Sequence, residues 1–270
     1  MSLARKLERF TLAFTVGTTR LEVSGLHRGG TGTPLVFLHG FGSTKEDYAD
    51  VVQQARLADH PVLAYDAPGC GTSDCADLGV VSIPFLVSVA EQVLAARHID
   101  RFHLIGHSMG GLTALLLADN DPSRVASLTN IEGNLAPEDC FLSRQLLTHP
   151  HDDPDEFLAR FTERVGGPRF YGGALYAASL AHKVRAGAVR AIFESMVNLS
   201  DHGTLLDRFL GLPLPRMFMY GEQNNTLSYL SALAGGGVEL AEIEHCAHFP
   251  MYSNPRRMWA RIADHVSRTG

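Results

Sequence analysis

Short β-rich runs bounded by Gly, Pro or Asp recur toward both ends of this chain: Phe10–Val16, Thr19–Ser24, Leu35–Leu38, Val62–Tyr65, Phe102–Ile105, Val125–Ile131, Met217–Tyr220 and Val238–Ile243. From Leu35 onward most are apolar almost without a break, as a strand covered on both faces must be. Between them the apolar residues switch to a spacing of three and four, as in Phe85, Val89, Val93 with Leu86, Ala90, Leu94, and in Met258, Trp259, Ile262, Ala263, Val266. The alternation predicts an α/β fold with a mostly parallel eight-stranded sheet flanked by helices. Its rhythm stops between about Gly133 and Leu212, where Phe157, Leu158, Phe161 and Val165 keep helical spacing between Gly and Pro clusters. Residues 133–212 are therefore expected to form a helical insertion in a core made of 1–132 and 213–270. Asp153, Pro154 and Glu156 supply an N-cap, a first-turn proline and an acidic first turn for one of its helices.

Composition narrows the partners. The chain has 270 residues, 45% hydrophobic and 19% charged, enough apolar side chain for one large core. Its formal net charge is -6, and no Lys/Arg run could neutralise a phosphate backbone, so nucleic acid is not expected as a partner. Apolar runs such as Leu112–Ala118 fall far short of the roughly 20 residues that span a bilayer, and no membrane association is expected. Met1–Phe14 lacks the long apolar stretch and cleavage site of a secretory leader. Cys70, Cys75, Cys140 and Cys246 lie at no metal-ligand spacing and read as reduced thiols in a cytoplasm, a Cys70–Cys75 bridge being the alternative.

The chemistry is concentrated in Gly106-His107-Ser108-Met109-Gly110-Gly111, which follows a predicted buried strand and precedes a predicted helix. In that context Gly-x-Ser-x-Gly puts a serine on a strained turn at the carboxyl edge of the sheet, with small residues letting the flanking backbones pass closely. Such a serine needs a base and an oxyanion site. His39-Gly40-Phe41-Gly42 follows the third predicted strand, so the Phe41 amide is expected to point to the same spot as the Met109 amide at its helix N-terminus. Of the 13 histidines, His248 in Ile243-Glu244-His245-Cys246-Ala247-His248 has the offset from the last strand that hangs a base over that edge. His245, nearer the strand end, is expected to pack or to support the base. His149, His151, Asp152 and Asp153 sit in a polar loop feeding a helix cap, and no metal site is expected there.

These motifs, together with Asp66-Ala67-Pro68-Gly69-Cys70-Gly71-Thr72-Ser73 after the fourth predicted strand, resemble the α/β-hydrolase superfamily over almost the whole length. The similarity is to its capped esterases, lactonases and haloalkane dehalogenases. It implies a lid built from the insertion after the sixth predicted strand, and a triad in the chain order serine, acid, histidine. One departure matters. Where the common pattern has Gly-x-x-Asp after the seventh predicted strand, this chain has Gly221-Glu222-Gln223-Asn224. A subset of the family takes its acid from the turn after the sixth strand, which points to Glu132, with Glu222 as the fallback and no catalytic role for Asn224.

The expectation is thus a cofactor-free serine hydrolase with Ser108 as nucleophile, His248 as base, Glu132 as acid, and the Phe41 and Met109 amides as oxyanion donors. A serine at position 108 argues against dehalogenase and epoxide hydrolase chemistry, for which those relatives use an aspartate. The substrate is expected to be a small, hydrophobic ester or lactone, with thioester and carbon–carbon hydrolysis as alternatives, met by His107, Phe157 and Tyr176. The lid, with Leu146, Leu147, Phe170 and Tyr171 among its apolar residues, is expected to govern substrate choice more than catalytic competence. A triad-retaining small-molecule receptor of the same fold is the rival reading.

Overall fold

The computed structural model describes residues 6–145, 153–166 and 172–269. Among the described residues nine strands form one sheet: β1 (Glu8–Val16), β2 (Thr19–Arg28), β3 (Leu35–Leu38), β4 (Val62–Tyr65), β5 (Asp74–Cys75), β6 (Phe102–His107), β7 (Val125–Ile131), β8 (Arg216–Gly221) and β9 (Glu239–Ile243). They run in the order β1-β2-β4-β3-β6-β7-β8-β9, with β5 on β2. β3, β4 and β6 to β9 are parallel, while β1, β2 and β5 pair antiparallel. Every residue of β3, β4, β6 and β7 is buried, as their mostly apolar sequences predict, and the burial extends to the polar His103, His107, Ser127, Thr129 and Asn130. The ninth strand, β5, was not expected. Two residues carry no periodicity, and Cys75 and Asp74 become a strand only by pairing with Leu21 and Glu22.

Helices α1 (Ile83–Ala96) and α9 (Pro255–Thr269) follow the three-and-four spacing seen in the sequence, whereas α2 (Met109–Asn120) is buried without a break from Met109 to Ala118. The Ser82 hydroxyl caps α1 by accepting from the Phe85 amide, and α9 buries Met258, Trp259, Ile262, Ala263 and Val266 on one face. After β7 the described residues up to β8 hold no strand, only the bridge of Val184 to Cys70, and carry α3 (Pro154–Val165), α4 (Gly173–Lys183), α5 (Val189–His202) and α6 (Leu205–Gly211). Asp153 caps α3 through the Asp155 and Glu156 amides. α6, the last stretch of the expected insertion, packs on α2 beside the sheet, and Arg208 pairs with Asp119 across that contact at 2.7 Å. The short α7 (Leu230–Gly235) and α8 (Pro250–Ser253) complete the chain.

Strand order places the site. β3 is followed by β4 on one side of it, and β6 lies on its other side, so the crevice between the carboxyl ends of β3 and β6 is where this sheet reverses direction. Parallel sheets take their ligands at such a point. The loop after β3 carries Phe41, the turn after β6 carries Ser108, the turn after β7 Glu132, and the loop after β9 His248.

Candidate active site

Ser108 stands between the last residue of β6 and the first of α2, at φ 52° and ψ -119°, a conformation that side chains other than glycine rarely adopt. Two backbone bonds hold it there: its amide donates to the Ile131 carbonyl at 2.9 Å, and its carbonyl accepts from the Leu112 amide at 3.0 Å. The flanking glycines make the turn possible. A Cβ on Gly106 would run into the Gly110 carbonyl, and one on Gly110 into the Leu38 carbonyl at the end of β3. Met109 opens α2, so its amide has no carbonyl one turn back to bond and sits at the positive end of the helix.

The β3 loop comes up to the same spot because Gly40 has no side chain; a Cβ there would lie 3.0 Å from the Ser108 Cβ and 2.7 Å from His107 Nδ1. His39 braces the loop from below, Nδ1–H donating to the Gly40 carbonyl at 2.8 Å and Nε2 accepting from the Ala67 amide at 2.8 Å. A fully buried ion pair that the sequence reading missed holds its far end. Lys45 Nζ lies 2.6 Å from Asp66 Oδ2, while the Lys45 amide donates to Oδ1 at 2.9 Å. Thr72 adds its own amide at 2.8 Å. The signal available was a lysine directly after the loop and an aspartate opening the Asp66–Ser73 turn.

Glu132 is the first residue after β7, at φ 45°, with its side chain only 7% exposed. Its carboxylate is saturated with donors. Oε1 accepts from the Gly221 amide at 2.7 Å, and Oε2 accepts from Asn224 Nδ2 and from His248 Nδ1, each at 2.7 Å. With Nδ1 so engaged, Nε2 is the His248 nitrogen left for the cavity that this ring shares with Ser108. The His248 backbone is held as well, its carbonyl accepting from His107 Nε2–H at 2.8 Å. Burial, reinforced by the nearby His248, holds the His107 imidazole well below the usual histidine range, and therefore neutral.

The shared cavity has a volume of about 440 Å³ including its mouth, and its walls are mostly apolar: Phe41, Phe161, Tyr176, Phe193, Met196 and Phe249. Tyr176 lines the cavity, but His107 and Phe157 do not. The inward side of β6 turns His107 beneath the loop of His248, where it is fully buried. Phe157 forms a second layer, 6.3 Å from the Phe161 ring and 6.2 Å from that of Phe193. Leu146, Leu147, Phe170 and Tyr171, and likewise His149, His151 and Asp152, lie outside the described residues. Among the described residues no three His, Cys, Asp or Glu side chains cluster as a metal site would.

Other expectations need correction. Asn224, for which only a catalytic role was ruled out, donates to the Glu132 carboxylate; the departure from Gly-x-x-Asp was the signal, and only the fold shows where the amide points. Glu222 faces elsewhere, accepting from the His245 amide at 2.7 Å, and His245 is exposed rather than packed. All four cysteines are free and buried. Burial, reinforced by the Glu132 charge, pushes the Cys246 thiol up to about 12, so it stays protonated beside the site.

Comparison with known proteins agrees with this architecture. The model of the "Alpha/beta hydrolase family" matches residues 35–261. A pimeloyl-[acyl-carrier protein] methyl ester esterase of Aeromonas salmonicida is 29% identical over 253 residues, covering 86% of this chain and 94% of that protein. Among solved structures, a thermophilic esterase from Thermogutta terrifontis superposes with a TM-score of 0.78 at 20% identity, over 97% of this chain and 99% of the other. A point mutant of the N-acyl homoserine lactonase AidH, complexed with N-hexanoyl homoserine, gives a TM-score of 0.73 at 19% identity over 97% of this chain and 98% of the other.

Proposed function

The chain belongs to the alpha/beta hydrolase family, and on that premise we propose that it is a serine hydrolase cleaving a carboxylic ester or a lactone through an acyl-enzyme. One observation carries this reading: the Glu132 carboxylate sits 2.7 Å from His248 Nδ1 while the same ring and Ser108 face one cavity. Ser108 Oγ attacks the carbonyl carbon as His248 Nε2 takes its proton. The imidazolium then protonates the leaving alcohol oxygen, and the same nitrogen activates the water that releases the acid. Glu132 fixes the tautomer and stabilises the imidazolium. The Phe41 and Met109 amides receive the oxyanion, a type of donor whose single removal costs about 10²–10³ in kcat elsewhere. No step calls for a cofactor.

Helices α3, α4 and α5 act as the lid over this site, with Phe161, Tyr176, Phe193 and Met196 facing the cavity. Those walls favour an apolar acyl or alcohol group. The names of the similar proteins span a methyl ester and a lactone, the two bonds placed first here. Among the described residues no helix is long and apolar enough to cross a membrane. The free thiols suit a reducing compartment, and the cytoplasm is the one proposed.

The test is direct. A fluorophosphonate should label Ser108, located by mass spectrometry, and a panel of p-nitrophenyl esters and lactones should be turned over catalytically by wild type and not by Ser108→Ala. An adduct on another serine, or an active Ser108→Ala, would overturn the assignment; a single turnover followed by arrest would favour a receptor.

A further inference from the structure

Helix α4 does more than wall the cavity. The hydroxyl of Tyr176 donates to the Phe41 carbonyl at 3.0 Å, in a bond buried from solvent. Its ring stacks on Phe249, the neighbour of His248, with centroids 4.3 Å apart and planes 25° from parallel. The loop is shaped to admit it: Gly42 lies at φ +74°, and a Cβ there would come within 2.6 Å of the Tyr176 oxygen. Seven residues on, at the other end of α4, Lys183 Nζ reaches Asp47 at 3.3 Å and the Tyr252 hydroxyl at 3.0 Å. Asp47 accepts in turn from that hydroxyl at 2.8 Å and from the Thr44 amide at 3.2 Å. The segment 41–44 is therefore held at both ends by one helix of the insertion.

We infer that Tyr176 is a positioning residue for the oxyanion site, its bond to the Phe41 carbonyl fixing the direction of the Phe41 amide, with the Lys183–Asp47 contact as a second anchor. The inference rests on the serine hydrolase reading and goes beyond it, because it makes α4 part of catalytic competence rather than of substrate choice alone. The physical reason is that an oxyanion donor helps only if it is oriented before charge develops. Without the hydroxyl, the buried Phe41 carbonyl loses its partner and the loop turns to recover one.

Tyr176→Phe, which keeps the ring, is expected to lower kcat for p-nitrophenyl butyrate about tenfold with KM within about twofold. Affinity for a trifluoromethyl ketone, which mimics the tetrahedral intermediate, should fall by the same factor as kcat/KM. Lys183→Met, whose side chain lies outside the cavity lining, should act in the same direction by about threefold, an effect that cannot come from a lost substrate contact. Unchanged kcat in both variants, or a loss borne by KM alone with ketone affinity intact, would overturn the inference. Fluorophosphonate labelling separates the two levels. If wild type is labelled at Ser108 and turns over ester while both variants match it, only this inference fails; if Ser108 is not labelled, the hydrolase reading fails and the inference with it.

Discussion

Two turns at the carboxyl edge of the sheet, one strand apart, invite the same role and receive different ones. The turn after β7 offers Glu132, and its side chain points across to His248 Nδ1. The turn after β8 offers Glu222 and Asn224; the glutamate is occupied by the His245 amide, and the asparagine donates to Glu132. A carboxylate is thus not replaced by an amide. It stands one strand over, and the amide has become its hydrogen-bond donor. What differs is less the inventory of side chains than which of them the backbone turns inward: Glu132 does so at φ 45°, a conformation held by its amide bond to the Met219 carbonyl at 3.0 Å.

The hardest test of this contrast is Glu132→Gln. Loss of the charge that steadies the imidazolium should lower kcat by about 10³–10⁴ with the fold intact by circular dichroism. If this variant stays near wild type while Glu222→Gln collapses, the acid belongs to the other turn. Moving the charge sharpens the comparison: Glu132→Gln combined with Asn224→Asp should regain at least about tenfold over Glu132→Gln alone, since the two side chains already touch. Asn224→Ala removes one donor from the carboxylate and should cost about three- to tenfold in kcat, read from initial rates. Glu222→Gln should leave kcat within about twofold, its partner being a backbone amide away from His248.

Asp139, seven residues beyond Glu132 and also at the cavity wall, provides the contrasting carboxyl. It accepts from the Leu135 and Ala136 amides and the Tyr229 hydroxyl, but burial outweighs these bonds and pushes its carboxyl up to about 6 from an ordinary 3.8, with Glu138 adding in the same direction. The native state therefore holds this proton more tightly than the unfolded chain does. The stability it contributes is complete below about pH 4 and lost as pH rises through about 6. Asp139→Asn, which mimics the neutral form, should gain on wild type by on the order of 1–3 kcal/mol across that window in urea titrations, and then hold a constant gap.

Much of this molecule is legible in its sequence. The mostly apolar runs mark β3, β4, β6 and β7 within two residues, because a strand covered on both faces keeps few polar positions to blur its ends. Ser108 is legible because its turn needs glycine where backbones nearly touch, and that need is written locally at Gly106 and Gly110. His248 is singled out by its offset from the last strand, and Glu132 only through the family resemblance, which points to the turn after the sixth predicted strand. Harder to read are contacts between side chains distant in sequence. Nothing local marks Lys45, and Asp66 shows only as the opening of a turn motif, yet their pairing permits both to be wholly buried. His107 is expected at the cavity, but its side chain is fully buried against the His248 loop, where Nε2–H donates to the His248 carbonyl.

The sequence by itself determined the long strands and periodic helices, their order, and which residue types stand at the strand ends where chemistry can occur, since periodicity, turns and caps are set by neighbours a few positions apart. Tertiary structure decided which of those residues meet. The 2.7 Å contact of Glu132 with His248 spans 116 positions, that of Asn224 with Glu132 spans 92, and that of Tyr176 with Phe41 spans 135. Bonds of that kind depend on strand register, on the inward turn of single backbone dihedrals and on one helix seated against a loop. Those are properties of the packed core as a whole, which excludes water and leaves each buried donor or acceptor to find the partner the fold has brought within reach.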